Sequence, residues 1–172
     1  VLGGSGADTI AVAVLSGGAS LLGGAALSID DGANLITAGS ISSGLIDGNA
    51  AADTIAVGSG TTAATLTGSY GADSISVAGT VSAAFISGGQ ASDPTSNLDS
   101  ADTITIAGAL LNSRINGNVG NDSIVVAGSA AGSTIGGGQD ADHVSIGGLL
   151  NAGLILGGAE RDTIVIGAAL QG

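Results

Sequence analysis

The sequence predicts an all-β fold, a single-chain parallel β-solenoid of about eight coils of ~20 residues with two main strands in each, and three observations carry that prediction. An acidic residue just before an Ile or Val recurs as Asp53, Asp73, Asp102, Asp122, Asp142 and Asp162, and four of the five intervals are identical in length. Within each unit, apolar residues alternate with small or polar ones, as strands require. The interior available to such a chain is narrow: the 172 residues include 33 glycines, and Tyr70 and Phe85 are the whole aromatic set.

The elements follow in order from one unit. After Asp122, Ile124 and Val126 alternate as a first strand and Gly128 turns the chain. Ser133 and Ile135 alternate again as a second strand, and Gly136 to Gly138 turn it back. The next unit repeats these positions with Val144, Ile146, Gly148, Gly153, Ile155 and Gly157. A helix would place its apolar residues three and four apart and would lose roughly 1 kcal/mol at each interior glycine relative to Ala. A sandwich of hairpins is the serious competitor. Equivalence decides against it, because a stack of coils gives every unit the same residue type at the same phase. Ile and Val then form ladders inside, faced by Ala64, Ala84, Ser113, Ser133 and Gly153 across a thin core. With strands ~4.8 Å apart along the axis, the body is on the order of 35–40 Å long.

Residues 1–172 read as one solenoid domain with two irregularities. The interval from Asp73 to Asp102 is longer than the others, and its surplus falls in an inserted loop at 90–101 that holds Pro94, the single proline. Upstream, Asn34 takes the aspartate position one coil before Asp53, and Asp8 precedes Asn34 by a second long interval. That makes 15–33 an irregular coil with its surplus in Leu27 to Asp31. Because the pattern is already under way at Val1 and still running at Gly172, the chain reads as a segment of a longer polypeptide, with any targeting signal outside it.

Charge narrows the function classes. The formal net charge is −12, with Arg114 and Arg161 as the basic residues and no Lys. Nucleic acid and anionic lipid are repelled by such a surface, so cations are the natural partners. There is no cysteine, hence no disulfide, and no apolar run long enough to span a bilayer.

Stacking sets a problem for the aspartates. At ~4.8 Å, two like charges repel by roughly 0.9 kcal/mol in water and by several times that near a protein surface. Protonation, Asx turns that orient the carboxylate, or divalent cations between coils are the available answers. Along an exposed corner the carboxylates are expected to stay ionised, which favours cations, and calcium suits carboxylates with the carbonyls that glycine turns expose.

The segment "GGSGADTIA", Gly3 to Ala11, fits the nonapeptide G-G-x-G-x-D-x-U-x at every defined position and resembles the RTX, hemolysin-type calcium-binding β-roll repeats. The resemblance implies Ca²⁺ between successive coils, with ligand roles for Asp8, Asp53, Asp73, Asp102, Asp122, Asp142 and Asp162. The chain departs from that family by carrying one Asp-bearing turn per coil, so one side of the solenoid holds metal. The glycine two before the Asp is kept as Gly6, Gly71 and Gly120 but replaced by Ala51, Ser100, Asp140 and Glu160. Asp140 and Glu160 are candidate additional ligands, and Arg161 is a candidate counter-ion.

Catalysis has little to build on. His143 is the single histidine and takes the outward phase of Thr54, Ser74, Thr103, Ser123 and Thr163, as one substitution in a polar ladder. No base stands beside the serines, so no enzyme is expected. Thr103 and Thr105 resemble the T-x-T arrays of ice-binding solenoids, but Ala56, Val125 and Val165 break the array. Leu45, Phe85 and Leu154 are predicted to face outward, giving partly apolar flanks suited to lateral packing, and open ends favour end-to-end association into a homo-oligomer, filament or lattice. The sequence thus points to a non-catalytic structural solenoid of a secreted or cell-surface assembly, such as a surface layer, sheath, fibril or adhesin stalk, rigidified by Ca²⁺. The alternative is a receptor-binding or virion fibre that presents the 90–101 loop.

Overall fold

The computed structural model describes residues 1–24, 31–90 and 97–171. Among them all regular structure is β, and the recorded strand pairs are parallel, each strand lying against its equivalent one coil away. One face of the solenoid is the stack Thr54–Val57, Ser74–Val77, Thr103–Ile106, Ser123–Val126, His143–Ile146 and Thr163–Ile166. A second is Phe85–Gly89, Arg114–Val119, Thr134–Gln139 and Leu154–Gly158.

Between them runs a third, narrow face of two-residue strands: Val81–Ser82, Leu110–Leu111, Ala130–Ala131, Leu150–Asn151 and Leu170–Gln171. Each coil is therefore three-sided rather than two-sided. A two-residue strand shows one inward and one outward residue, too few for alternation to reveal it in the sequence. Toward the N-terminus the faces merge into longer strands, Thr9–Gly24, Leu35–Asn49 and Thr61–Ser69.

Register survives both irregularities. Ile75 lies opposite Ile104 and Phe85 opposite Arg114, although the longer interval separates each pair along the chain. Most of the expected loop at 90–101, residues 91–96 with Pro94, lies outside the described residues, as do residues 25–30 of the expected surplus. In the rest of the irregular coil, Leu15 to Gly24 is strand with a register shift between Ser16 and Ala19. Gly17 and Gly18 absorb the extra residue at φ of 66° and 73°, a conformation that a side chain would oppose.

The core consists of in-register apolar rows. Ile36, Ile55, Ile75, Ile104, Ile124 and Val144 form one, and Ile46, Leu66, Ile86, Ile115 and Ile135 face it from the second face; all are at most 1 % exposed. Complete burial of such a side chain contributes roughly 1.5–3 kcal/mol. The contribution depends on the neighbouring coil, since Ile164, in the row of Ile124, is 45 % exposed where no described coil covers it. Ala64, Ala84, Ser113 and Ser133 are buried as expected, and the two serines form their own ladder: Ala84 N–H donates to Ser113 Oγ and Ser113 N–H to Ser133 Oγ, both at 3.1 Å. Leu45 and Phe85 are half-buried and Leu154 exposed, all facing outward. No helix among the described residues is long and apolar enough to cross a membrane.

One position in the third face breaks the apolar pattern. Thr61 lies in the row of Ile41, Val81 and Leu110, is wholly buried, and its hydroxyl has no hydrogen-bond partner. An unsatisfied buried hydroxyl costs about 1–3 kcal/mol. Thr61→Val, which keeps the shape and removes the orphan, is expected to stabilise the protein by about 1 kcal/mol, measured as the shift of the denaturant midpoint at constant slope.

Candidate functional site

The recurring aspartates occupy the corner that leads into the first face. Each follows a tight turn and immediately precedes a strand, so its side chain can fold back along the solenoid axis. The contact it makes is the same throughout. The backbone N–H of each ladder residue donates to the Oδ1 of the ladder residue one coil on: Asp8 to Asn34, Asn34 to Asp53, Asp53 to Asp73, Asp73 to Asp102, Asp102 to Asp122, Asp122 to Asp142 and Asp142 to Asp162, at 2.6–3.0 Å. The two long intervals are bridged by the same bond as the regular ones.

The other oxygen defines the site. Oδ2 of Asp8, Asp53, Asp73, Asp102, Asp122 and Asp142 is sealed from solvent and accepts no hydrogen bond. It lies against the Cα of a glycine that precedes it by five residues in regular coils. A Cβ on Gly48, Gly68, Gly117, Gly137 or Gly157 would stand 2.1–2.4 Å from the Oδ2 of Asp53, Asp73, Asp122, Asp142 or Asp162 respectively. Gly3 with Asp8 and Gly88 with Asp102 complete the series. The motif G-x-x-x-x-D was present in the sequence at fixed spacing; its glycine is the first position of the nonapeptide, Gly3 in the full match, and recurs in coils that lack the rest of that motif.

The corner is not exposed, contrary to the expectation. Asp53, Asp73, Asp102, Asp122 and Asp142 are only 2–3 % exposed because the side chains turn inward under the next coil. Burial, reinforced by neighbouring carboxylates, pushes their pKa values up to about 7 for Asp53, 8 for Asp73, 9 for Asp102 and Asp122, and 6 for Asp142, against the lowering effect of the backbone N–H bonds. Desolvation disfavours charge at the places where the sequence stacks it.

This bears on calcium. The ion takes about six to eight oxygen ligands at roughly 2.3–2.6 Å. Each rung presents one carboxyl oxygen not already bonded to a backbone N–H, that oxygen is closed to water, and no group of three or more Asp, Glu or His side chains among the described residues converges to hold a metal. A buried carboxyl oxygen left without a hydrogen bond at each of these rungs is consistent with a calcium-binding ladder. Asp140 and Glu160 lie outside it, exposed at the turn position two before Asp142 and Asp162, with φ of 72° and 76°. Ala51 shares positive φ with Gly6, Gly71 and Gly120, so the turn keeps that backbone sign at Ala51, Asp140 and Glu160, but not at Ser100 after the longer interval. Arg161 is exposed beside Glu160.

A second polar line, missed in the sequence, runs along the second face. Ser69 Oγ donates to Asp47 Oδ1 at 2.8 Å, Asn118 Nδ2 donates to Ser87 Oγ at 2.8 Å, and Asn116 Nδ2 is hydrogen-bonded to Asn118 Oδ1. Its members differ in type from coil to coil, so no repeating residue announced it. On the first face, Thr54, Ser74, Thr103, Ser123, His143 and Thr163 form one outward row in register, His143 lying between Ser123 and Thr163. Arg114 sits on the second face with its guanidinium 5.8 Å from the Phe85 ring centroid.

No family model matches the chain, and no curated protein matches it. Among solved structures it is similar to a hyperactive, Ca²⁺-dependent, β-helical antifreeze protein from an Antarctic bacterium, with a TM-score of 0.73 and 23 % sequence identity over 94 % of this chain. The chain spans 47 % of that structure's length. The likeness is one of fold.

The cradle makes a sharp prediction. Gly117→Ala, whose Cβ would meet Asp122 Oδ2 at 2.1 Å and the Gly137 carbonyl at 2.3 Å, is expected to lose about 1–3 kcal/mol of stability. Gly58→Ala, with its nearest neighbour at 3.6 Å, is expected to stay within about 0.5 kcal/mol of the parent in the same denaturant titration.

Proposed function

We propose that this chain is a rigid, non-catalytic rod segment of an exported protein that works at the cell surface or outside the cell, spacing or supporting other parts of an assembly. The observation that carries the reading is the recurring register: the strands of the first face stay paired with their equivalents from Leu35 to Ile166, across the longer interval between Asp73 and Asp102. Uniformity of this kind suits a spacer. Catalysis needs one place unlike the others, and the polar groups here recur once per coil. The outward His143 stands in a row of hydroxyls without a second catalytic group beside it.

The calcium dependence of the structurally similar antifreeze protein supports an extracellular setting for this fold, where calcium is abundant. For this chain, calcium would act through the ladder aspartates, with Asp140 and Glu160 exposed on adjacent coils as additional ligands. The surface-layer, sheath, fibril and adhesin variants of the reading differ in what the rod joins.

A second reading is favoured by the first face. Its outward residues are mostly small or hydroxylated, lie in register, and include Thr103 and Thr105 on one strand, the arrangement expected of an ice-binding surface. Ala56, Val125, His143 and Val165 interrupt the array.

Two measurements test these readings. Duplicating one complete coil, residues 123–142, is expected to give a folded protein longer by ~4.8 Å in solution scattering and at least as stable as the parent. An unfolded product would contradict a spacer built of equivalent units. Thermal hysteresis of ice growth is expected to match that of an inert control protein. Hysteresis that Thr103→Tyr abolishes would instead establish the ice-binding face.

A further inference from the structure

We infer that the two unpaired edges of the solenoid fit each other, so that a second copy of this chain docks head to tail and continues the stack in register. The contact is independent of what the rod supports. Among the described residues, Leu154–Gly158, Thr163–Ile166 and Leu170–Gln171 pair with a preceding coil only. At the opposite edge, Leu2–Gly4 and residues 9–16 pair with a following coil only. None of these segments carries a charged residue or a proline, two of the devices that keep sheet edges apart. Leu156, Ile164 and Leu170 are exposed at the C-terminal edge, and Val1, Leu2 and Val14 at the N-terminal edge.

Hydrogen-bonding groups at the two edges are complementary. Two bonds recur at each step of the ladder: a rung's N–H donates to the carboxyl of the next rung, and the residue after that next rung donates its N–H back to the first rung's carbonyl. The last such pair runs from Asp142 N–H to Asp162 Oδ1 at 3.0 Å and from Thr163 N–H to the Asp142 carbonyl at 2.7 Å. Beyond it, the N–H and carbonyl of Asp162 meet no described coil, and at the other edge neither do Asp8 Oδ1 and the Thr9 N–H. Each edge therefore keeps one donor and one acceptor that the other edge completes: Asp162 N–H to Asp8 Oδ1, and Thr9 N–H to the Asp162 carbonyl. Two like edges brought together would instead run their strands antiparallel, against the parallel pairing of the stack.

Register agrees. Carried from coil to coil, the pairing places Leu2 in the row that reaches Leu156, and Asp8 in the ladder that reaches Asp162. The two stretches share the sequence L-G-G-x-x-x-D-T-I, from Leu2 to Ile10 and from Leu156 to Ile164. One docking position thus lays Leu2 on Leu156, the cradle glycine Gly3 on Gly157, Asp8 on Asp162 and Thr9 on Thr163, with no residue gained or lost between them. Ile10 of the copy then covers Ile164, the exposed member of an otherwise buried row. The irregularity at Gly17 and Gly18 falls after the matched stretch. A contact of this heterologous kind does not close on itself, so it propagates as a filament.

Sedimentation and light scattering of the 172-residue chain test the contact, with three variants. Thr9→Pro and Leu2→Pro each remove an N–H from the N-terminal edge, and Ile164→Lys places a charge on the C-terminal edge. The wild type is expected to form linear oligomers whose mass rises with concentration in steps of one chain. Each variant alone is expected to stay monomeric with the wild-type β-sheet circular dichroism. An equimolar mixture of Thr9→Pro and Ile164→Lys holds one intact edge of each kind and is expected to stop at the dimer; Leu2→Pro replaces Thr9→Pro there if the latter does not fold. A wild type that is monomeric at every soluble concentration would overturn the inference and assign the edges to another occupant. Dimers of Thr9→Pro or Leu2→Pro alone, which require like edges to meet, or a mixture that stays monomeric, would overturn it as well.

Discussion

The hydrogen bond from each ladder residue's N–H to the carboxyl of the next coil is the constraint on which the structure depends. A solenoid must fix where each coil lies on its predecessor, and apolar rows alone tolerate sliding because Ile and Val interchange along them. A buried, directional bond at one corner of every coil removes that freedom. Seven successive bonds of this kind span the described chain, including both long intervals. Ile75 consequently meets Ile104 as faithfully as Ile55 meets Ile75. The rows of the core are aligned by a polar contact at their border.

Much of this was legible in the sequence. The regular recurrence of Asp before an Ile or Val, and the glycines at constant phase, gave the parallel stack, its coil number and the inward rows. The third face was not legible because a two-residue strand has no period. The environment of the aspartates was missed for a different reason. Spacing shows that side chains are stacked, but whether a stacked side chain points outward or folds under the next coil depends on the space beside it. Here that space is made by the absence of a Cβ at Gly48, Gly68, Gly117 and their equivalents. The glycines were visible, though their partnership with the aspartates five residues on was hidden inside a more familiar nonapeptide.

Close approach and backbone conformation divide the work at the corner. The cradle glycine is required for space alone. In six coils the residue after it is held at positive φ, as Gly4, Gly138 and Gly158 or as Asn49, Ser69 and Asn118, whereas Gly24 and Gly89, which lead into the two longer intervals, are not. The structure therefore keeps a left-handed turn where the side chain varies, and keeps glycine where contact forbids one. Left-handed non-glycine residues store strain of order 1–3 kcal/mol, which the packed neighbours on both sides must offset.

Both longer intervals fall between a cradle glycine and its ladder residue: Gly23 and Asn34 in one case, Gly88 and Asp102 in the other. Each contains an added aspartate that accepts from a neighbouring coil, Asp31 from the Gly6 N–H at 3.1 Å and Asp99 from the Val119 N–H at 3.3 Å. This corner is thus a doorway through which foreign sequence can be let out and brought home, shut behind it by an acidic latch. Every other coil carries the same threshold, so lineages, or engineers, can hang a new recognition loop at any chosen height of the column.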